Sequence, residues 1–572
     1  MKLPTVAEYL VDRLADLGVT EFFGVPGDFN FNICTAIEAS DKARWIGCCN
    51  ELNAGYAADG YARVKGAGAV VTTFGVGELS AINAVAGAYA ERVPLFKIVG
   101  SPATSLQKGQ ALIHHTLGNG DFGVFENMYA AITATHTRLT AQNAAVEIER
   151  AIGIAMTEKR PVYINIPADV CNHSIAGYVP LYGRPAPEPL AIREAVAEIK
   201  QLLDRAVRPV IVADAKVMRF GLQEELQAFI ERSNLPATTL VMGKGVIDGQ
   251  HPNFIGTYNG KLINPETSRI VENADLLIAF GCLLTDTNSA AFTVKYDPSR
   301  TVSIHEDHVK VRRARYENVP MKDLLASLTA AVEPSTRPIP KAGPADGVPP
   351  GDPSAKLFVD HIYGRMQTFL KSGDIMVAET GSTMEGLQDI RLPSGVEFHN
   401  QGLWMSIGYA TPAAFGAALA APDRRVVLMT GDGSHQLTAQ EISSMLRYGI
   451  KPIIILLNND GYMIERYLCE EPMDTFNDIA PWNYAKLPEA FGATDAFVAQ
   501  ARTVGEFDKA LEDAAASNKF AYIEAFTDIM DAPKVMRDIR NHRQTFYGEK
   551  GSEETGKLGR PGTPSAVAAC PG

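Results

Sequence analysis

The chain has 572 residues, is 46% hydrophobic and 21% charged, and carries 53 Lys and Arg against 66 Asp and Glu, a formal charge of −13. That length holds about three domains of ordinary globular composition, and an acidic balance without a basic patch argues against nucleic acid or an anionic membrane as partner. No apolar run reaches membrane-spanning length, and the seven cysteines lack zinc or disulfide spacing, which points to buried thiols, Cys48 and Cys49 among them, in a reducing, cytoplasmic setting.

Met1–Leu17 reads as an amphipathic helix without a signal-peptide core. Strands follow at Glu21–Val25, Ala69–Thr73, Leu95–Val99 and Val162–Ile166, with helical spacing between them. Behind the first strand stands Val25-Pro26-Gly27-Asp28-Phe29-Asn30, where Asp28 is either a helix cap or a working acid. Glu51 opens a helix rich in small residues, suited to close packing against another subunit, and is either a dipole-favoured acid or a functional one. Ile113-His114-His115-Thr116 offers adjacent histidines, open to proton-transfer, metal-ligand or core readings.

A proline-rich break at Val179–Pro189 leads to strands at Pro209–Val212, Leu276–Phe280 and Thr301–His305. A second break, Glu333–Pro353, leads to strands at Ile375–Ala378, Arg425–Met429, Pro452–Leu457 and Ala521–Ala525. The reading is α/β throughout, with three doubly wound parallel-sheet domains over 1–180, 190–335 and 356–545, a linker over 336–355 and a disordered tail over 546–572. Gly243-Lys244-Gly245 lacks the full dinucleotide fingerprint.

The densest signal is Gly431-Asp432-Gly433, then a helix over Thr438–Tyr448, then Asn458-Asn459-Asp460-Gly461 at the end of the next strand. This βαβ unit puts Asp432, Asn459 and Gly461 at the carboxyl edge of a sheet, where doubly wound folds bind ligands. A carboxylate, an amide and a main-chain carbonyl are oxygen ligands suited to Mg²⁺, which keeps its other positions for phosphate oxygens. Glu465 follows within a helical turn and is either salt-bridged or part of the site.

This pattern resembles the thiamine diphosphate motif, and from about Val6 to Val535 the chain resembles the pyruvate decarboxylase family of thiamine diphosphate-dependent 2-oxo acid decarboxylases. The stretches that carry the resemblance are VPGDFN, NELNAGYAADGYAR, TTFGVGELSAIN, HHTLGNGDF, MGKG, AETG, LWMSIGY, GDGSHQLTAQE, LNNDGY and NDIAPWNY. It implies thiamine diphosphate and Mg²⁺ as cofactors, the ion held by Asp432, Asn459 and Gly461. It implies cofactor contacts from Thr380, Met405, Ile407, Gly433 and Ser434, and from Glu51 of a neighbouring subunit against the pyrimidine ring. Asp28, His114, His115 and Glu465 are implied to manage protons, and Thr287, Met384, Ile464 and Leu468 to shape the substrate pocket.

The implied reaction is non-oxidative decarboxylation of a 2-oxo acid, pyruvate first, to an aldehyde and CO₂ by a homo-oligomer, commonly a dimer of dimers. Indolepyruvate, phenylpyruvate and branched-chain 2-keto acids are the alternative substrates. A carboligase is opposed by His114-His115, and an inactive cofactor-binding subunit by the full acid–base set. Met405 stands for a usual Gly, Met463 for a Thr and His435 for an apolar residue. Thr287 replaces the large aromatic of dedicated pyruvate enzymes, and Lys216-Val217 replaces the activation cysteine of some fermentative members.

Overall fold

The computed structural model describes residues 3–175, 183, 186–342 and 351–540. Most of the first proline-rich break and the whole tail expected to be disordered lie outside these residues. The strands at the centres of the sheets form where β-branched and large apolar side chains run without interruption. Gly68–Thr73, Leu95–Ser101 and Val162–Pro167 are buried at every position, as parallel strands covered on both faces must be.

The first sheet runs Arg44–Gly47, Glu21–Gly24, Gly68–Thr73, Leu95–Ser101, Val162–Pro167, Thr135–Arg138, all parallel. The third runs Glu397–His399, Ile375–Ala378, Val426–Gly431, Ile453–Asn458, Phe520–Phe526, Ala496–Ala501, again all parallel. Numbered from its own first strand, each has the order 2-1-3-4-6-5, so the two are the same doubly wound unit used twice. In each, the order reverses at the first strand, and a ligand crevice opens at the carboxyl ends there.

The middle sheet is parallel from Thr301–Ile304 through to Phe254–Thr257, but one edge is an antiparallel hairpin, His308–Val311 with Ala314–Glu317. An all-parallel reading missed it. Its signal is short: buried Val309 and Val311 flank exposed Lys310.

Two helix boundaries are corrected. The helix read from Thr438 begins at Asp432 and runs to Thr438, and a second runs Glu441–Arg447. Gly433 looks like turn chemistry, but it is a helical residue pressed against the Tyr462 ring, where a Cβ would sit 2.6 Å from a ring carbon. Pro189, read as the end of a linker, opens the helix Pro189–Arg205, since its fixed φ and missing N–H suit a first turn.

The small-residue helix Glu51–Lys65 packs on Ala410–Ala420 of its own chain. A Cβ on Gly60 would lie 2.1 Å from the Ala413 carbonyl oxygen, and one on Gly416 would lie 1.8 Å from that of Ala57. The two backbones therefore touch. Arg63 is buried beside them, donating to Asp59 at 2.5 Å and to the Asn400 carbonyl at 2.7 Å, while Tyr409 donates to the same Asp59 oxygen. Among the thiols, Cys171 is buried as expected, but Cys49 is exposed and rests 3.2 Å from the Gln440 carbonyl. No described helix is long and apolar enough to cross a membrane.

Candidate active site

The strands Val426–Gly431 and Ile453–Asn458 are neighbours in parallel register, Gly431 opposite Leu457. Their ends bring Asp432 and Asn459 side by side. Asp432 is the first residue of its helix and is buried. Its carboxylate accepts from the Gly433 N–H at 2.8 Å and from the Gly461 N–H at 3.2 Å. Burial nevertheless pushes its carboxyl up to about 6. Beside it, the Asn459 side-chain oxygen is buried and has no hydrogen-bond partner among the described residues, a cost of roughly 1–3 kcal/mol unless something supplies a positive charge. Asp460 and Gly461 both have positive φ, 59° and 142°, and a Cβ on Gly461 would lie 2.5 Å from the Asn477 carbonyl oxygen. A buried carboxylate, an orphaned amide oxygen and a tight turn that cannot take a side chain fit a small hard cation.

A cavity of about 180 Å³ lies nearby, lined by Thr287, Met405, Ile464 and Leu468. Thr287 donates to the Gly402 carbonyl at 2.8 Å, which ties the middle domain to the loop ahead of Met405. Met384 is fully buried and is not among the lining residues. Its neighbour Glu385 is, and sequence reasoning missed it. The available signal was a lone acid in the helix Ser382–Gly386, next to a position already assigned to the pocket.

Burial raises the Glu385 carboxyl from 4.5 to about 8. The folded state thus holds a proton that the unfolded chain has already released at pH 5–8. Its contribution to stability is present below pH 4.5 and is lost as pH rises through 8, by about 1.4 kcal/mol per pH unit. Glu385→Gln therefore gains thermal stability over wild type at pH 8.5 and shows little difference at pH 5, read from paired melting curves.

Met405 is held at φ 57°, a left-handed conformation that costs an L-residue about 1–2 kcal/mol. This accounts for a glycine being the easier choice at that position. The loop is fixed from several sides. The Leu403 and Trp404 N–H groups donate to Glu91 at 2.7 and 3.2 Å, Trp404 donates from its ring to Asn83 at 2.9 Å, and Ser406 accepts from Tyr56 at 2.7 Å. Met405→Gly costs at most about 1 kcal/mol, strain relief offsetting lost packing, whereas β-branched Met405→Val costs about 2 kcal/mol or more; chemical denaturation of both variants checks this.

The second group gathers on the first sheet. His114 Nε2 lies 2.7 Å from Asp28 Oδ2, and His115 Nε2 lies 4.0 Å from Asp28 Oδ1. Phe29 stacks on the His114 ring at 4.9 Å. His115 takes a positive φ of 62°, and Gly75 makes room for its carbonyl, since a Cβ there would lie 2.0 Å from that oxygen. The cluster is partly open to solvent, as is Glu465.

Glu51 begins its helix behind an Asn50 cap, with its carboxyl 3.2 Å from where a Gly77 Cβ would stand. The buried Lys97 ammonium, pulled down to about 7 by burial, is held up by Glu78 and Glu51. Among the described residues, no hydrogen bond or ion pair joins Glu51, or the Asp28–His114–His115 cluster, to Asp432 or Asn459 within the chain.

The remaining expected residues fall around the third sheet's crevice. Thr380 is buried at the end of Ile375–Ala378, donating to the Gln401 carbonyl at 3.1 Å. Gly433 and Ser434 sit in the first turn after Asp432, and Ile407 is half-buried beyond Met405. His435 is buried and pulled down to about 3 by burial, hence neutral, with Nδ1 3.0 Å from the Thr411 hydroxyl. Met463 packs with Ala532 and Met536. Where an activation thiol would stand, Lys216 pairs with Glu306 at 2.7 Å.

Comparison with known proteins fits this geometry. The N-terminal TPP-binding domain of thiamine pyrophosphate enzymes matches residues 4–122, their central domain matches 196–331 and their C-terminal TPP-binding domain matches 380–525. A pyruvate decarboxylase of Candida glabrata is 41% identical over 544 residues, covering 92% of this chain and 96% of that protein. Pyruvate decarboxylase isozyme 1 of Saccharomyces cerevisiae is 40% identical over 548 residues, covering 93% and 96%. An alpha-keto-acid decarboxylase of Mycolicibacterium paratuberculosis is 39% identical over 544 residues, covering 94% and 96%.

Proposed function

The chain belongs to the pyruvate decarboxylase family of thiamine pyrophosphate enzymes, and from that membership we propose that it removes CO₂ from a 2-oxo acid, pyruvate first, and releases the aldehyde. It uses thiamine diphosphate with Mg²⁺. The observation that carries the reading is the partnerless, buried Asn459 oxygen beside Asp432, on adjacent strand ends of the sheet matched by the C-terminal cofactor-binding domain. Asp432, the Asn459 oxygen and the Gly461 carbonyl hold the cation. Gly433 and Ser434 face the diphosphate, and Thr380, Met405 and Ile407 meet the rest of the cofactor. When bound, the cofactor supplies a sink for the electron pair that departing CO₂ leaves behind.

The chain's own groups do the rest. Apolar walls at Ile464 and Leu468 exclude water, which favours loss of charge from a carboxylate. Asp28 Oδ2 and His114 Nε2, 2.7 Å apart, hold a shared proton for delivery to substrate, with His115 in the same cluster and Glu465 contributing from the helix Met463–Leu468. Glu51 reaches the cofactor of a neighbouring subunit, so the working unit is a homo-oligomer, a dimer or a dimer of dimers. The three sheets serve as pyrimidine-binding (1–180), central (190–335) and diphosphate-binding (356–545) domains. The acidic composition and the lack of disulfide spacing suit a cytoplasmic setting.

The test is aldehyde formation by purified protein with thiamine diphosphate and Mg²⁺, across pyruvate, phenylpyruvate, indolepyruvate and a branched-chain 2-keto acid. Aldehyde and CO₂ in equal amounts are expected. A carbon–carbon coupled product in place of free aldehyde would mean a carboligase.

A further inference from the structure

Among the described residues, one group of side chains offers three metal-ligating atoms within 4.8 Å of one another: Asp28, His114 and His115. Adjacent residues on an extended chain point to opposite sides, so neighbouring histidines ordinarily diverge. Here the left-handed turn at His115, φ 62°, brings both rings to one carboxylate. His114 Nε2 lies 2.7 Å from Asp28 Oδ2, and His115 Nε2 faces Asp28 Oδ1 at 4.0 Å. Phe29 fixes the rings, stacking on His114 at 4.9 Å and meeting His115 edge-on at 6.0 Å. All three side chains are at least partly open to solvent, so an ion has a way in.

We infer that this triad is a zinc site, at which bound Zn²⁺ closes the proton cluster and reversibly stops turnover. The consequence rests on the decarboxylase reading; the binding does not. Two imidazole nitrogens and one carboxylate oxygen are the ligand set of zinc centres that keep a fourth position for water. Mg²⁺ wants octahedral oxygen ligands, whereas imidazole suits zinc, so the ion of the Asp432 site does not compete here. Zinc–ligand bonds of about 2.0–2.2 Å put the ligand atoms of a tetrahedron about 3.3 Å apart. The observed 2.7 and 4.0 Å separations bracket that spacing, and small ring rotations reach it. In the metal-free chain the short contact holds a proton between His114 and Asp28. Zinc takes that proton's place on the Nε2 lone pair and the carboxylate, and the proton leaves to solvent. The metal-bound imidazoles then have no Nε2 lone pair with which to carry a proton, and delivery to substrate stops.

The experiment adds Zn²⁺ to holoenzyme in excess thiamine diphosphate and Mg²⁺, reading metal uptake and aldehyde formation separately. Wild type should take up one Zn²⁺ per chain against a colorimetric chelator. At saturation it should lose at least about a hundredfold in activity, restored by a zinc-selective chelator. Co²⁺ in its place should give the intense visible absorption of a four-coordinate site, not the faint bands of a six-coordinate one. His114→Ala, His115→Ala and Asp28→Asn should each weaken Zn²⁺ uptake by at least about tenfold. These variants are compromised in turnover, so uptake is their readout, and the wild-type cobalt spectrum decides if one does not fold. No uptake by wild type in excess Mg²⁺ overturns the inference. So does uptake that all three substitutions leave unchanged, which places the ion elsewhere, on the exposed Cys49 or at the Asp432 site. Uptake without loss of aldehyde formation overturns it too. If zinc-free holoenzyme forms no aldehyde from any acid, the decarboxylase reading fails, and uptake alone decides the site.

Discussion

Subunits carrying Glu51→Gln, mixed in equal amounts with subunits carrying Asp432→Ala and allowed to reassemble, should recover about a quarter of wild-type activity. Each variant alone should lose at least about a hundredfold, because each removes a group that acts in the reaction or holds its cofactor. The recovery follows from where the structure leaves the two residues. Glu51 opens a helix on the first sheet, and among the described residues no hydrogen bond or ion pair joins it to the Asp432 site within the chain. If a site is assembled from Glu51 of one subunit and Asp432 of its partner, a two-fold pair has two such sites. A hybrid pair then contains one site with both substitutions and one with neither. Half of randomly formed pairs are hybrids, and half of their sites are intact. If Glu51 instead works in its own chain, every site in the mixture carries one lesion and nothing is recovered. The glutamine variant keeps the size and hydrogen bonding of the side chain, so it should still show cofactor-induced thermal stabilisation. That separates a lost proton-handling group from a lost fold.

What could be read from the sequence depended on how local the signal was. Val426–Gly431 and Ile453–Asn458 announced themselves because both faces of a central parallel strand are buried and the run is continuous. Arg44–Gly47 and Ala496–Ala501 did not, since edge strands are half-wet and their patterns are broken. The proposed cation seat could be pointed to for the same reason as its strands: Asp432, Asn459 and Gly461 lie within one βαβ unit. The pocket was not, because Thr287, Glu385, Met405 and Ile464 come from separate segments that only the assembled sheets bring to one cavity. Resemblance supplied part of that list by position. It passed over Glu385, which is buried and lines the cavity. Positive φ at Met405 is not signalled by its own residue type; the one pointer to it was the glycine that the resemblance puts at that position.

Asp432→Asn should abolish thermal stabilisation by thiamine diphosphate with Mg²⁺ and lower kcat/KM by at least about a thousandfold, while the cofactor-free protein melts at or above the wild-type temperature. The two halves have one cause. In the cofactor-free chain the Asp432 carboxyl sits in a place that burial makes hostile to its charge, against which the backbone N–H groups of Gly433, Gly461, Asp460 and Asn459 pull the other way, Gly433 and Gly461 at 2.8 and 3.2 Å. Asparagine keeps an oxygen for the shorter of these bonds and removes the charge that the fold resists. The longer bond is lost, a smaller term than desolvating a carboxylate. The cation, by contrast, needs that charge. With only two neutral oxygens left, from Asn459 and the Gly461 backbone, the seat no longer compensates an ion for its water. A ligand present at a hundred times its dissociation constant stabilises a fold by about 2.7 kcal/mol, and the variant forfeits that whole increment. Melting curves with and without cofactor, run on both proteins, read the two effects separately. A variant that still responds to cofactor like wild type would move the cation seat elsewhere. One whose cofactor-free form melts far below wild type would make Asp432 a structural residue first. The expected combination, higher intrinsic stability and no response, is what a residue retained for its ligand at the expense of the fold should give.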